Sequence, residues 1–102
     1  MIVTYGPEHI PLVWDQVEPH LKRAVDRGSI YSLEDIYDHL RNNRMQLWTW
    51  NRPDIRAAMT TGIIDGDCYL ITAGGSHLSE WASEFKIVEK WAIDIGCGSI
   101  KI

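Results

Sequence analysis

Long apolar runs are missing from this chain of 102 residues: none approaches the roughly 18 that a bilayer-spanning helix needs. The opening stretch, MIVTYGPEHIPLVW, has neither the basic start nor the apolar centre of a secretory signal, so a cytoplasmic protein is expected. Cysteine is scarce. Cys68 and Cys97 lack the spacing of a zinc pair, and no histidine stands beside them at ligand spacing. Both are expected to be reduced and buried, as small apolar side chains in a cytosolic chain usually are, and no metal is expected. An excess of positive charge is also absent. The net charge is −4, and the seven Lys and Arg from Lys22 to Arg56 are interleaved with acids, which argues against a nucleic-acid partner. Gly and Pro are not in excess, so the chain reads as one globular domain rather than a disordered or fibrous segment.

What remains is strongly patterned. Residues 1–5 are apolar and β-branched, as a first strand requires, and Gly6-Pro7 ends it. Ile10, Val13, Trp14, Val17, Leu21 and Val25 recur every three or four residues, predicting a helix with one buried face that closes near Gly28. Pro19 lies inside it and predicts a bend or a break. Ser32 can cap a second, short helix, with Asp35 answering at the third position and Leu33, Ile36, Tyr37 and Leu40 forming its apolar face. That helix should stop at Asn42-Asn43.

Three strands follow. MQLWTW alternates Gln46, Trp48 and Trp50 against Met45, Leu47 and Thr49. IRAAMTTGII and CYLITA are separated by Asp65-Gly66, a strong hairpin signal, and Gly62 suggests a bulge. Then Leu78, Trp81, Ala82, Phe85, Val88, Ala92 and Ile95 mark one face of a long helix from His77 to about Ile95, with Gly96 as its left-handed cap. GSIKI would be a last strand, parallel to CYLITA if the two are neighbours. The expected fold is α+β, a mixed sheet with helices on its faces.

Between these elements lies ITAGGSHLSEW, which reads as a strand end, a glycine turn and a helix capped by Ser76. Such a joint can offer bare backbone N–H groups to a phosphate.

This layout resembles the GNAT-type acyltransferase domain, and in detail the small GNAT-like proteins encoded by bacteriophages. The likeness is carried by GPEHIPLVWDQVEPHL, by MQLWTW and by GGSHLSEWASEFKIVEKWAIDIGC. It implies an order of strand, two helices, three-stranded antiparallel meander, helix and fifth strand within one domain spanning 1–102. The usual closing helix and hairpin are missing, as though truncated. It implies an N-acetyltransferase, with acetyl-CoA bound through its pyrophosphate at Gly74, Gly75, Ser76 and His77. The family pattern of Arg or Gln followed by spaced glycines is not kept, because the two glycines here are adjacent. The alternative is a non-enzymatic phage protein that binds a host protein in the bacterial cytoplasm, for takeover or against a defence system.

No catalytic residue is assigned. Asp65 and Asp67 are the acids nearest the fourth strand, yet their hairpin position favours local hydrogen bonding over general-base work. Cys68 has no supporting His or Asn for a nucleophile's role. His9, His20 and His39 are read as surface or half-buried residues. Five tryptophans are more distinctive. Trp48 and Trp50 are core if a helix covers their strand face, and an aromatic interface if that face is open. A terminal edge strand bearing Ile100 and Ile102 would accept a partner strand, from a host protein or a second copy.

Overall fold

The computed structural model describes residues 1–28, 30–75, 84–97 and 100–101. Strand β1 (Ile2–Tyr5) leads through a short 3-10 turn at Pro7–His9 into helix α1 (Ile10–Asp26) and then helix α2 (Leu33–Arg41). Strands β2 (Met45–Asn51), β3 (Ile55–Ile64) and β4 (Asp67–Gly75) follow, then helix α3 (Lys86–Asp94) and the two-residue strand β5 (Ile100–Lys101). The sheet runs β1-β2-β3-β4-β5 in space. Its first four strands are antiparallel neighbours, as expected for the meander, and β5 lies parallel to β4.

Alternation within β2 sorts the core into two layers. Met45 and Leu47 pack with Ala58 of β3 and with Ile10, Val17, Leu21, Ile36 and Leu40 from α1 and α2. Trp48 and Trp50 face the other way, with Ala57, Met59 and Val88 and the flanking Phe85 and Trp91 of the α3 region. α1 and α2 therefore cover one sheet face and α3 the other. Full burial of each large aliphatic side chain contributes about 1.5–3 kcal/mol, so both layers matter to the fold.

Of the bend or break predicted at Pro19, the break is not found: α1 runs on through it as one helix. The interior proline costs about 3 kcal/mol. Val17 and Leu21, one on each side of it, are both completely buried, and that burial offsets the cost. Helix α2 begins as anticipated: the Ser32 hydroxyl accepts from the Asp35 amide at 3.1 Å, and the Ser32 amide donates to the Asp35 carboxylate at 3.2 Å. Its end is marked by Asn43 in the left-handed region, at φ 59°.

Four expectations are corrected. The bulge is not at Gly62, which keeps register with Met45 and Tyr69; the extra residues are Ile71 on β4 and Arg56 on β3. The long helix expected from His77 to about Ile95 is α-helical, among the described residues, only from Lys86 to Asp94, with Phe85 as its N-cap, and Ile95 is exposed rather than part of its buried face. Gly96 (φ 94°) does cap it, with the Cys97 amide donating back to the Ala92 carbonyl at 2.8 Å. Cys68 and Cys97 are joined in a disulfide rather than standing as separate thiols. The cap turns the chain back toward the start of β4, which brings the two Cα atoms to 5.8 Å, inside the range a disulfide can bridge. The fourth correction concerns the glycine pair, described below. Among the described residues, no helix is long and apolar enough to cross a membrane.

Candidate functional site

Gly74 and Gly75 are not a turn. β4 continues through both, with Gly74 opposite Ala58 and Gly75 opposite Ala57. The physical reason is contact with the rest of the fold. A Cβ at position 74 would lie 2.0 Å from the His20 carbonyl oxygen of α1, and one at 75 would lie 2.5 Å from the Ala57 Cα. Gly75 also sits at φ 136°, a conformation open mainly to glycine. The pair lets α1 lie directly on the end of β4. Ser76 and His77, the other half of the predicted phosphate site, lie outside the described residues, as do Leu78, Trp81 and Ala82.

The margin of β4 is the more informative feature. Among the described residues, β5 pairs with Cys68 and Tyr69 alone, at the beginning of β4. Immediately beyond, Ile71 is the extra residue of the bulge, which shifts the register between Thr60 and Thr61. From Leu70 to Gly75 the outer edge of β4 has no strand paired to it among the described residues. A parallel pair that touches at one end and is unpaired at the other leaves a row of backbone N–H and C=O groups for another extended chain.

Helix α1 forms the roof over this margin. It packs on β3 and β4, while α2 packs on β2. Trp14 meets Tyr37 of α2 edge to face, with ring centroids 4.9 Å apart, so the Trp14 side of α1 is turned toward α2. Residues 13, 17, 20 and 24 follow one another at helical spacing on the other flank. Ala24 and the His20 carbonyl are both neighbours of Gly74. His20 is half-buried, and its Nδ1 is buried with no hydrogen-bond partner among the described residues. From the sequence it is read as a surface or half-buried residue. The signal was its place between Val17 and Ala24, on the edge of the buried stripe.

Trp48 and Trp50, expected as an interface if their face were open, are covered: 5% and 4% of each is exposed. The Trp48 indole donates to the Thr61 hydroxyl at 3.0 Å, which donates in turn to the Gln46 side chain at 2.9 Å. Trp91 of α3 meets Trp48 edge to face at 5.4 Å. The Trp50 indole donates to the Glu84 carboxylate. That bond, helped by the Met1 ammonium 3.2 Å away, holds the Glu84 carboxyl below the usual carboxylate range against the opposing effect of burial. Ile100 is half-buried and packs against the same tryptophan layer, while Ile102 lies outside the described residues.

The remaining candidates fall into structural places. Asp65 (φ 52°) and Gly66 (φ 83°) form the β3–β4 hairpin turn, and Asp67 pairs with Ile64. Cys68 is consumed in the disulfide. The His39 Nδ1 accepts from the Arg44 side chain at 2.8 Å, and His9 lies beside Glu8. No group of three or more His, Cys, Asp or Glu among the described residues is placed to hold a metal. A groove of about 600 Å³ between α1 and α2 is lined by Trp14, Tyr37, Asp15, Glu18, Glu34 and Asp38. It is the most acidic concavity described, although Asp38 is already paired with Arg44 at 3.0 Å.

This architecture is that of the GNAT fold. A candidate GNAT-family acetyltransferase from Staphylococcus aureus subsp. aureus superposes with a TM-score of 0.67 at 13% identity, covering 99% of this chain and 98% of its own. A second solved structure, of a probable acetyltransferase, gives 0.69 at 10% identity over 99% of this chain and 77% of that one. At such identities the likeness is one of fold. No protein-family model matches the sequence, and no curated protein matches it.

Proposed function

We propose that this chain binds an acyl-CoA along the outer edge of β4 and transfers its acyl group to an amine. One observation carries the reading: among the described residues β5 pairs only with Cys68 and Tyr69, and no strand lies beside β4 from Leu70 to Gly75. The pantetheine arm of CoA is an extended chain with two amides. It can pair with an open strand edge as a peptide would. When bound, acyl-CoA supplies the electrophilic thioester. The chain's part is to hold that arm in register and to keep water from it beneath α1. The likeness to acetyltransferase folds supports the choice of ligand, although fold alone does not assign chemistry.

The fit is divided. The open edge suits the arm. The glycine pair does not suit a phosphate cradle, because both glycines are already occupied by contacts with α1 and β3. The pyrophosphate would therefore rest on the backbone beyond Gly75, where Ser76 and His77 stand in the sequence. Isothermal titration tests the reading. Acetyl-CoA is expected to bind in the micromolar range and inorganic phosphate not to compete; absence of acetyl-CoA binding would reject it.

A second reading uses the same margin. Ile100–Lys101 is the outermost described strand, so a partner protein, such as a host protein met by a phage-encoded chain, could add a strand there. Loss of partner capture on adding acetyl-CoA would place both on one edge.

A further inference from the structure

We propose that the Cys68–Cys97 disulfide is a redox latch on the edge of β4: closed, it holds β5 against β4, and its reduction by a dithiol lets β5 come away. The inference concerns the edge itself and does not depend on which ligand or partner the edge takes. The starting observation is where the bond lies. Cys68 is the β4 residue that pairs with Ile100, and Cys97 stands three positions before Ile100 in the chain. The bond therefore fastens the approach to β5 onto β4 at the point where the two strands meet.

Little else holds β5. It is two residues long, against about five or six for an ordinary strand, and its pairing is parallel, slightly weaker per residue than antiparallel. Among the described residues its ladder consists of Cys68 with Ile100 and Tyr69 with Lys101. The Ile100 side chain reaches the tryptophan layer but is only half-buried. While the bond is closed, the short tether from Cys97 keeps β5 at high effective concentration beside its partner. Once it opens, β5 hangs from the C-terminal cap of α3, and its own pairs must hold it. Neither cysteine belongs to the two apolar layers, so these need not part when the bond opens.

The two sulfurs differ in access. Cys68 is completely buried, whereas Cys97 is half-buried, so a reductant meets Cys97 first. Its thiolate bonds to Cys97 Sγ, the S–S bond breaks, and Cys68 leaves as a thiolate that takes up a proton. The second thiol of the reductant then displaces Cys97 and closes the reductant's own disulfide. The protein gains two electrons and two protons, and the dithiol loses them. Among the described residues, the outer edge of β4 is then free from Cys68 to Gly75.

The test compares the oxidised wild type, the wild type reduced with dithiothreitol, and Cys97→Ser, by amide chemical shifts and backbone order parameters. These report the populated structure, so a fold that is merely less stable does not move them. On reduction the order parameters of Ile100 and Lys101 are expected to fall from about 0.85 to below about 0.6. The Tyr69 amide should shift while those of Val17, Leu21 and Leu40 stay in place, and reoxidation should restore the first pattern. Cys97→Ser should show the reduced pattern with or without dithiothreitol. Unchanged order at Ile100 and Lys101 in the reduced protein would overturn the latch. Collapse of the whole spectrum to unfolded shifts would overturn it too, since the bond would then be a staple of the entire fold.

Discussion

The carbonyl oxygen of His20 rests against the Cα of Gly74, so close that a Cβ there would lie 2.0 Å away. This contact joins α1 to the end of β4 and decides what the glycine pair is for.

Gly74→Ala is therefore expected to destabilise the fold by about 3 kcal/mol or more, at or above the upper end of overpacking costs, because the obstacle is backbone. Urea unfolding checks it. A midpoint equal to that of the wild type would mean that the glycine serves a ligand and not the packing.

The same contact explains a limit of sequence reading. Strands β2 and β3 were legible because alternation and the hairpin signal at Asp65-Gly66 are local, and α2 was legible from Ser32 and Asp35 for the same reason. Gly74 and Gly75 misled because two adjacent glycines signal a turn when only neighbours are considered. What keeps them extended is a carbonyl more than fifty residues away in the chain. Pro19 does not divide α1 into two pieces, its local cost being offset by the burial of Val17 and Leu21. The bulge at Ile71 leaves no mark of composition at all.

The disulfide was illegible for a different reason: two cysteines at arbitrary spacing say nothing about pairing until the cap at Gly96 returns the chain. With 29 residues of separation, Cys68–Cys97 should contribute about 3–4 kcal/mol through the unfolded state. Cys97→Ser is expected to lower the unfolding midpoint accordingly, and the native wild type should titrate with no free thiol. Two titratable thiols in the folded, non-reduced protein would contradict the pairing.

Glu84 predicts a pH dependence. Its folded carboxyl is more acidic than an unfolded one, first because the Trp50 indole donates to it and then because of the Met1 ammonium. Its contribution is fully present above about pH 5 and is lost as pH falls through the lower folded value. The side chain is one-third exposed, so the effect is about 0.5–1 kcal/mol. Melting curves of wild type and Glu84→Gln should differ by a constant amount at neutral pH and converge in acid. A gap that widens in acid would contradict this.

The chain from Trp48 through Thr61 to Gln46 is buried. Thr61→Val keeps the shape but strips the indole of its acceptor, so a loss of about 1–3 kcal/mol is expected from chemical denaturation. Restoring the hydroxyl with Thr61→Ser should recover part of it. A neutral Thr61→Val would show that the indole does not depend on this bond.

The open edge of β4 is best tested by hydrogen exchange with and without acetyl-CoA. The account predicts added protection of amides between Leu70 and Gly75, with Cys68 and Tyr69, already paired to β5, unchanged. Acetyl-CoA that binds while leaving Leu70–Gly75 unprotected would contradict it.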